Sequence, residues 1–364
     1  MRNSSFDKWL VTLALLVVIT GAVWHFVKSN RPAPEQKPAR LESISAESDA
    51  FHPYYIASVP GPTSGPAESE VGFEKLPRAK VEAWLATHHR DAVSLLTAFR
   101  ALDDTNYINE AATNFPNNPR VELAVLTHDE FPADRRQWLD LFKASSPGNS
   151  LANYLSAQDY FQNGNAAAAI QELLAATGKS QFDTYTTENR LDSENLYSSS
   201  GDSPGKTATL AMADMAREDL PQLASFQRLA RGIRDVQQQY LNSGETDSAV
   251  KLFQMGMHFG NQVESGDSGK YLINQLVGVA IESIMLEPLN PNASYDFLGG
   301  KTPSQVRQEN KQQIPAITQT LRAFDMIRPN LTDDEIAGYY ERTKIYGEIE
   351  AMKWAIQQHP PGNP

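Results

Sequence analysis

The chain has 364 residues, no cysteine and a formal net charge of −12. Without cysteine it has no disulfide, no thiolate nucleophile and no cysteine-ligated metal centre. Phosphate binding needs a concentrated basic face, and none is visible, so the charge argues against nucleic acid as a partner. The length suits two ordinary domains or one elongated array.

After a short flank, residues 1–8, comes WLVTLALLVVITGAVWHFV at residues 9–27, an uncharged apolar run of 19 residues. A helix spanning the hydrocarbon core needs about 20 such residues, so a single-pass membrane anchor is expected here. Trp9, Trp24 and His25 stand near its ends, where interfacial residues belong. A cleaved signal peptide ending near Thr20-Gly21-Ala22, giving a secreted protein, is the alternative. Arg2 and Lys8 precede the run and Lys28, Arg31, Lys37 and Arg40 follow it, so basic residues do not set its direction. From the signal-like position and the linker behind it, the bulk of the chain is expected on the periplasmic side, with a cytoplasm-facing arrangement as the other case. Residues 28–77 carry eight prolines among Ser, Glu and Ala. Such a stretch buries too little apolar surface to offset the ordering of its backbone, and it reads as a disordered tether. A coil of that length reaches roughly 35–40 Å. Phe51-His52-Pro53-Tyr54-Tyr55-Ile56 is an apolar island within it.

Folded structure is expected from about residue 78. Residues 79–100 read as one or two helices, with Val81, Trp84, Leu85, Val93, Leu95, Leu96 and Phe99 apolar. Residues 106–114 follow, stopped by Phe115-Pro116; 119–126 and 135–142 form the next pair, stopped at Pro147. The stretch 149–180, NSLANYLSAQDYFQNGNAAAAIQELLAATGKS, reads as two antiparallel helices. Leu151, Tyr154, Leu155, Ala157, Tyr160 and Phe161 fall at helical spacing. Gly164 makes the turn, Asn165 caps the second helix, and Gly178 stands where a left-handed residue ends one.

This unit resembles the tetratricopeptide repeat (TPR), a 34-residue helix–turn–helix motif. Ala157, Ala169 and Ala176 fall on its small helix-contact positions, Tyr160 on its aromatic position and Gly164 on its turn glycine. Asn153 and Ser156 stand in place of its first-turn tryptophan and leucine, and Gln181 replaces the closing proline. A second match spans residues 231–261, with Val236, Tyr240, Gly244, Ala249, Phe253 and Gly256 in register. Residues 85–116, 117–147 and 148–181 then look like three consecutive repeats, with Ala92 and Ala111 as small contact residues of the first. The expected fold is all-α: a TPR-like α-solenoid of antiparallel helix pairs over 78–262, behind the membrane helix, with a helical extension and cap over 263–364. Between the two matches, helices are expected at 191–197, 206–217 and 218–234. Residues 271–286 are apolar nearly all round yet contain Asn274, Gln275 and Glu282, which predicts a buried helix rather than a second span. Thr302-Pro303-Ser304-Gln305 and Thr332-Asp333-Asp334-Glu335 read as capping boxes. The first opens a helix bent at Pro315, and the second a last helix running to about Gln358.

Several strings imitate chemistry. SGDSPGKT at 200–207 nearly spells a phosphate-binding P-loop, but it lacks the first glycine and a preceding strand. SGDSGK at 265–270 resembles a protease nucleophile loop and is expected to be a helix linker. His88-His89-Arg90-Asp91 and His128-Asp129-Glu130 gather possible metal ligands, but adjacent helical residues point about 100° apart. No catalytic residue, cofactor or metal site is expected. The TPR resemblance implies a concave groove lined by the first helices of each repeat: Leu151, Tyr154, Gln158 and Phe161 in one, Arg231, Arg234, Gln238 and Leu241 in the other. Family members hold an extended peptide or a C-terminal tail there, and arginine forks suit carboxylates. The contrary reading pairs the basic ridge Arg228, Arg231 and Arg234 with the chain's own Asp235, Glu218 or Asp219. The expected function is a non-enzymatic scaffold or adaptor of the cell envelope, binding protein partners and tethered to the membrane. The alternatives are a self-associating structural subunit or a metal-dependent enzyme working between helices.

Overall fold

The structure is a computed structural model that describes residues 76–359. The expected anchor at 9–27 and nearly all of the tether at 28–77 lie outside the described residues. The described residues hold fourteen α-helices and no strand, and are all-α as the periodicity predicted. None of these helices is long and apolar enough to cross a membrane.

Helices α1 (Arg78–Thr87) and α2 (Ala92–Leu102) are separated by a sharp turn in which His89 and Arg90 both have positive φ, 55° and 49°. Left-handed backbone costs an L-residue about 1–2 kcal/mol, so something must hold it. The Arg90 fork does so, on Glu110 at 2.7 and 2.6 Å and on Glu82 at 2.7 Å. Next come α3 (Asn106–Asn114), α4 (Pro119–His128), α5 (Arg135–Ser145), α6 (Leu151–Gln162) and α7 (Ala166–Thr177). Here α2 packs on α3, α4 on α5 and α6 on α7, and successive pairs stack. Local chemistry sets these boundaries. Asn118 caps α4 through the Arg120 and Val121 amides, with Pro119 in its first turn. Asn165 accepts from the Ala168 amide to open α7, after Gly164 turns at φ 72°. The small residues Ala157, Ala169 and Ala176 are fully buried, which lets the helix backbones approach closely. Gly178 departs from expectation: at φ −82° it closes α7 in a right-handed conformation.

The stack is then overlaid by α8 (Thr186–Ser199) and by α9 (Pro204–Ser243), a single helix of 40 residues and about 60 Å. The separate helices expected at 206–217 and 218–234 are parts of this one rod, and so is the first helix of the repeat expected at 231–261, whose second helix follows Gly244 as α10. Ala211, Met215, Leu223, Phe226, Ala230 and Ile233 keep one buried stripe across the expected junction. Only Gly244, at φ 83°, ends it. α9 packs against α2, α4, α6 and α8, and also against α10 (Thr246–Ser265), α11 (Leu272–Met285) and α13 (Asp333–Tyr346). One core gathers α1–α4, α8 and the start of α9; the other gathers α4–α7, the second half of α9, α10 and α11.

Beyond α11, α12 (Pro303–Ile327) contains Pro315 and opens on the Thr302 capping box, as expected. The second capping box, at Thr332, opens α13. The expected single last helix is broken at Gly347, whose φ of 88° and ψ of 161° fold α14 (Glu348–Gln358) back onto α13. Buried Arg190 of α8 ties this end down, donating to the Tyr340 carbonyl at 3.1 Å and to Glu194 at 3.0 Å.

Candidate functional site: an arginine corner beside a filled groove

The α6 residues assigned to a ligand groove face the chain's own helices. Tyr154 is 1 % exposed; its ring lies 4.4 Å from that of Phe259 and its hydroxyl donates to Gln262 at 2.9 Å. Burial pushes its phenol above the usual tyrosine range. Gln158 is 4 % exposed and accepts the Ser225 hydroxyl of α9. Phe161 lies against Gly232, where an added Cβ would meet the ring at 3.0 Å. The groove expected along this face is therefore filled by α9 and α10. Tyr154 and Gln158 are corrected from partner-facing to interior, because apolar burial and a buried hydrogen bond already satisfy them.

The second set is divided. Arg234 is half-buried and paired with Asp235 and with Glu287, each at 2.7 Å, so for this arginine the self-paired reading holds. Gln238 is exposed and bonds Asn242 of its own helix at 3.0 Å. Arg228 and Arg231 are exposed, one helical turn apart, with no ion pair or hydrogen bond among the described residues. Partial burial, then the charges of Arg135 and Arg231, lower the Arg228 guanidinium below the ordinary arginine value, although it stays charged.

Arg135, at the start of α5, acts on Arg228 by its charge, and Arg136 stands next to it in the chain. Arg135 donates to the Leu126 carbonyl at 2.8 Å and lies 3.5 Å from Asp129 and 3.7 Å from Asp159. Arg136 pairs with Asp159, donates to Ser156 at 2.7 Å and sits over the Tyr160 ring at 3.9 Å. Arg135 and Arg136 thus share the two carboxylates of Asp129 and Asp159, while Arg228 and Arg231 use neither, in a chain whose total charge is −12. Guanidinium forks of this kind suit carboxylate and phosphate anions. The spacing of Arg228 and Arg231 was visible along the sequence. Arg135 was not part of it, since only the fold brings its charge to bear on Arg228 from some ninety residues away.

The other motifs are accounted for locally. At the P-loop-like string, the first turn of α9 is taken by the carboxylate of Asp333, which accepts from Ser203 and from the Gly205 and Lys206 amides at 2.9 and 3.2 Å. His88 stacks on Trp84 at 4.1 Å and His128 lies edge-on to Phe99 at 4.6 Å. Among the described residues no three His, Cys, Asp or Glu are placed to hold a metal ion. A cleft of about 330 Å3 separates the α1–α2 turn from α8. Its Asn195 accepts the Trp84 indole N–H, and its Asp192 is held by Arg120. In comparisons with known proteins, no family model, no curated protein and no solved structure matches the chain.

Proposed function

We propose that the chain is a non-enzymatic scaffold that presents the arginine corner to a protein partner, tethered to the cell envelope by the apolar run at residues 9–27. One observation carries the reading: Arg228 and Arg231 stand exposed, and unpaired among the described residues, on a long helix of an otherwise acidic chain. Exposed guanidinium groups usually find carboxylates when so many are at hand, and arginine is enriched at interface anchors. The helix pairs α2–α7, with TPR-like small residues at their contacts, support a scaffold by analogy of fold, which is the lesser argument.

The test is photo-crosslinking from position 231 in cells expressing the full chain, with the exposed Gln319 of α12 as control site. A discrete adduct with another protein from 231 and none from 319 is the expected result. No adduct from 231 refutes the scaffold. Adducts of the chain with itself would instead favour a self-associating subunit, for which Ile345 and Tyr346, 64 % and 62 % exposed at the end of α13, offer apolar contact. A solution mass at a multiple of 40.3 kDa would agree with that outcome.

A further inference from the structure

We infer that the arginine corner takes an acidic peptide segment, whose carboxylates at alternate positions engage Arg228 and Arg231. This rests on the scaffold reading and names the chemistry of its partner.

Residues three apart on a helix place their Cβ atoms about 5–6 Å apart. Side chains at alternate positions of an extended peptide share one face about 6.6–7 Å apart, a difference that two long arginine stems absorb. The platform is already in place. Around the two arginines α9 is pinned to α6 by the Ser225–Gln158 hydrogen bond on one side and by Gly232 against Phe161 on the other. A pre-organised donor pair loses little freedom on binding. Arg135 and Arg136 are held by Asp159, the Leu126 carbonyl and the Tyr160 ring, so Arg228 and Arg231 are the free hands among the described residues.

The same charges select among anions. A nucleic acid or an anionic membrane would present negative charge across the whole acidic surface and be repelled along most of it. A short segment meets the corner alone. A single small anion would fill one arginine fork and leave the second unused, whereas paired carboxylates engage both. The like-charge crowding of Arg135, Arg228 and Arg231 is relieved by such a ligand, because no carboxylate among the described residues pairs with Arg228 or Arg231.

The probe is a labelled octapeptide of alternating glutamate and alanine, blocked at both ends, titrated with the full-length chain and followed by fluorescence anisotropy. Binding is expected, weakened at least about tenfold by R228Q/R231Q and by glutamine in place of glutamate in the peptide. R322Q, at an exposed arginine of α12, is expected to bind as wild type. Because Arg228 and Arg231 make no ion pair or hydrogen bond among the described residues, the double variant should melt close to wild type, which separates lost binding from lost structure. Equal affinity of wild type and R228Q/R231Q overturns the inference. So does a dissociation constant weaker than about 1 mM, or full displacement of the peptide by an equal concentration of inorganic phosphate. If a partner crosslinked from 231 is captured equally by R228Q/R231Q, the scaffold stands and the acidic segment falls. If 231 yields no adduct, the scaffold itself falls.

Discussion

Replacing Glu282 with glutamine probes the crossing of α10 and α11. There Gly260 and Gly278 bring two helix backbones together, and each helix lays a glutamate over the other's glycine. Glu282 Cγ stands 3.0 Å from where a Gly260 Cβ would be, and Glu264 Cβ 2.7 Å from that of Gly278. Burial first, and Glu264 second, push the Glu282 carboxyl up to about 7, while the Asn310 amide donates to it at 3.4 Å. A carboxyl raised in the folded state adds stability below its ordinary value of 4.5, and that stability is lost as pH rises through about 7. Once ionised at pH 8, Glu282 costs about 1–3 kcal/mol, after discounting for its partial exposure. Glutamine keeps the shape and cannot ionise. E282Q should therefore melt roughly 2–8 °C above wild type at pH 8, with the gap shrinking by more than half at pH 5. The assay is thermal unfolding by circular dichroism across that range. Equal melting temperatures at pH 8, or a gap that does not change with pH, would refute the reasoning. Asp219, pushed up to about 8 by burial and by Glu218, is untouched in this variant, so some alkaline loss remains.

Three further outcomes follow from packing and hydrogen bonding. Gly278→Ala would set its Cβ 2.8 Å from the Gly260 carbonyl oxygen, forcing two backbones apart. A loss of about 1–3 kcal/mol is expected in denaturant titration, whereas Gly178→Ala, right-handed and unobstructed, should be neutral or slightly stabilising. Gln158→Leu leaves the Ser225 hydroxyl buried without its partner and should cost about 1–3 kcal/mol; adding Ser225→Ala should restore most of it. If Q158L alone abolished partner capture without lowering stability, the filled groove would be the wrong description. Asp333→Ala uncaps the first turn of α9, for an expected loss of about 0.5–2 kcal/mol, measurable as faster amide exchange at Gly205 and Lys206.

What was legible in the sequence was what short-range chemistry decides. The helix at Asn106–Asn114 ends where Phe115-Pro116 stops it, and both threonine capping boxes form with their expected third-residue partners. The buried helix Leu272–Met285 and the buried alanines of α6 and α7 follow from pattern alone. Four things were not legible, each because a distant segment decides it. A join is expected at residues 217–218, but Arg217 and Glu218 are held by Arg100 of α2 and Asp219 by Thr186 of α8, and α9 runs straight through it. Gly347 reads as an ordinary helical glycine until Glu348 is found accepting the Leu272 amide at 2.9 Å, which fixes the reversal there. The expected groove residues Tyr154 and Gln158 carry the right spacing for an exposed concave face, and nothing local announces that Phe259 and Ser225 will cover them. Arg231 and Arg234 share that helix and look alike in sequence; Glu287, 53 residues on, makes one a structural arginine and leaves the other free.

The long rod has a consequence for the chain while it is being made. Gln158 leaves the ribosome 67 residues ahead of Ser225, and Tyr154 about a hundred residues ahead of Phe259. At about 5–20 residues per second, the inner face of the α2–α7 stack waits roughly 3–20 s for the helices that cover it. During that interval the nascent chain carries exposed leucine, tyrosine and phenylalanine side chains on a half-built surface, which is the condition under which holding chaperones engage. A chain released at residue 177 would keep that face permanently open, and aggregation rather than a shortened native fold is its expected fate.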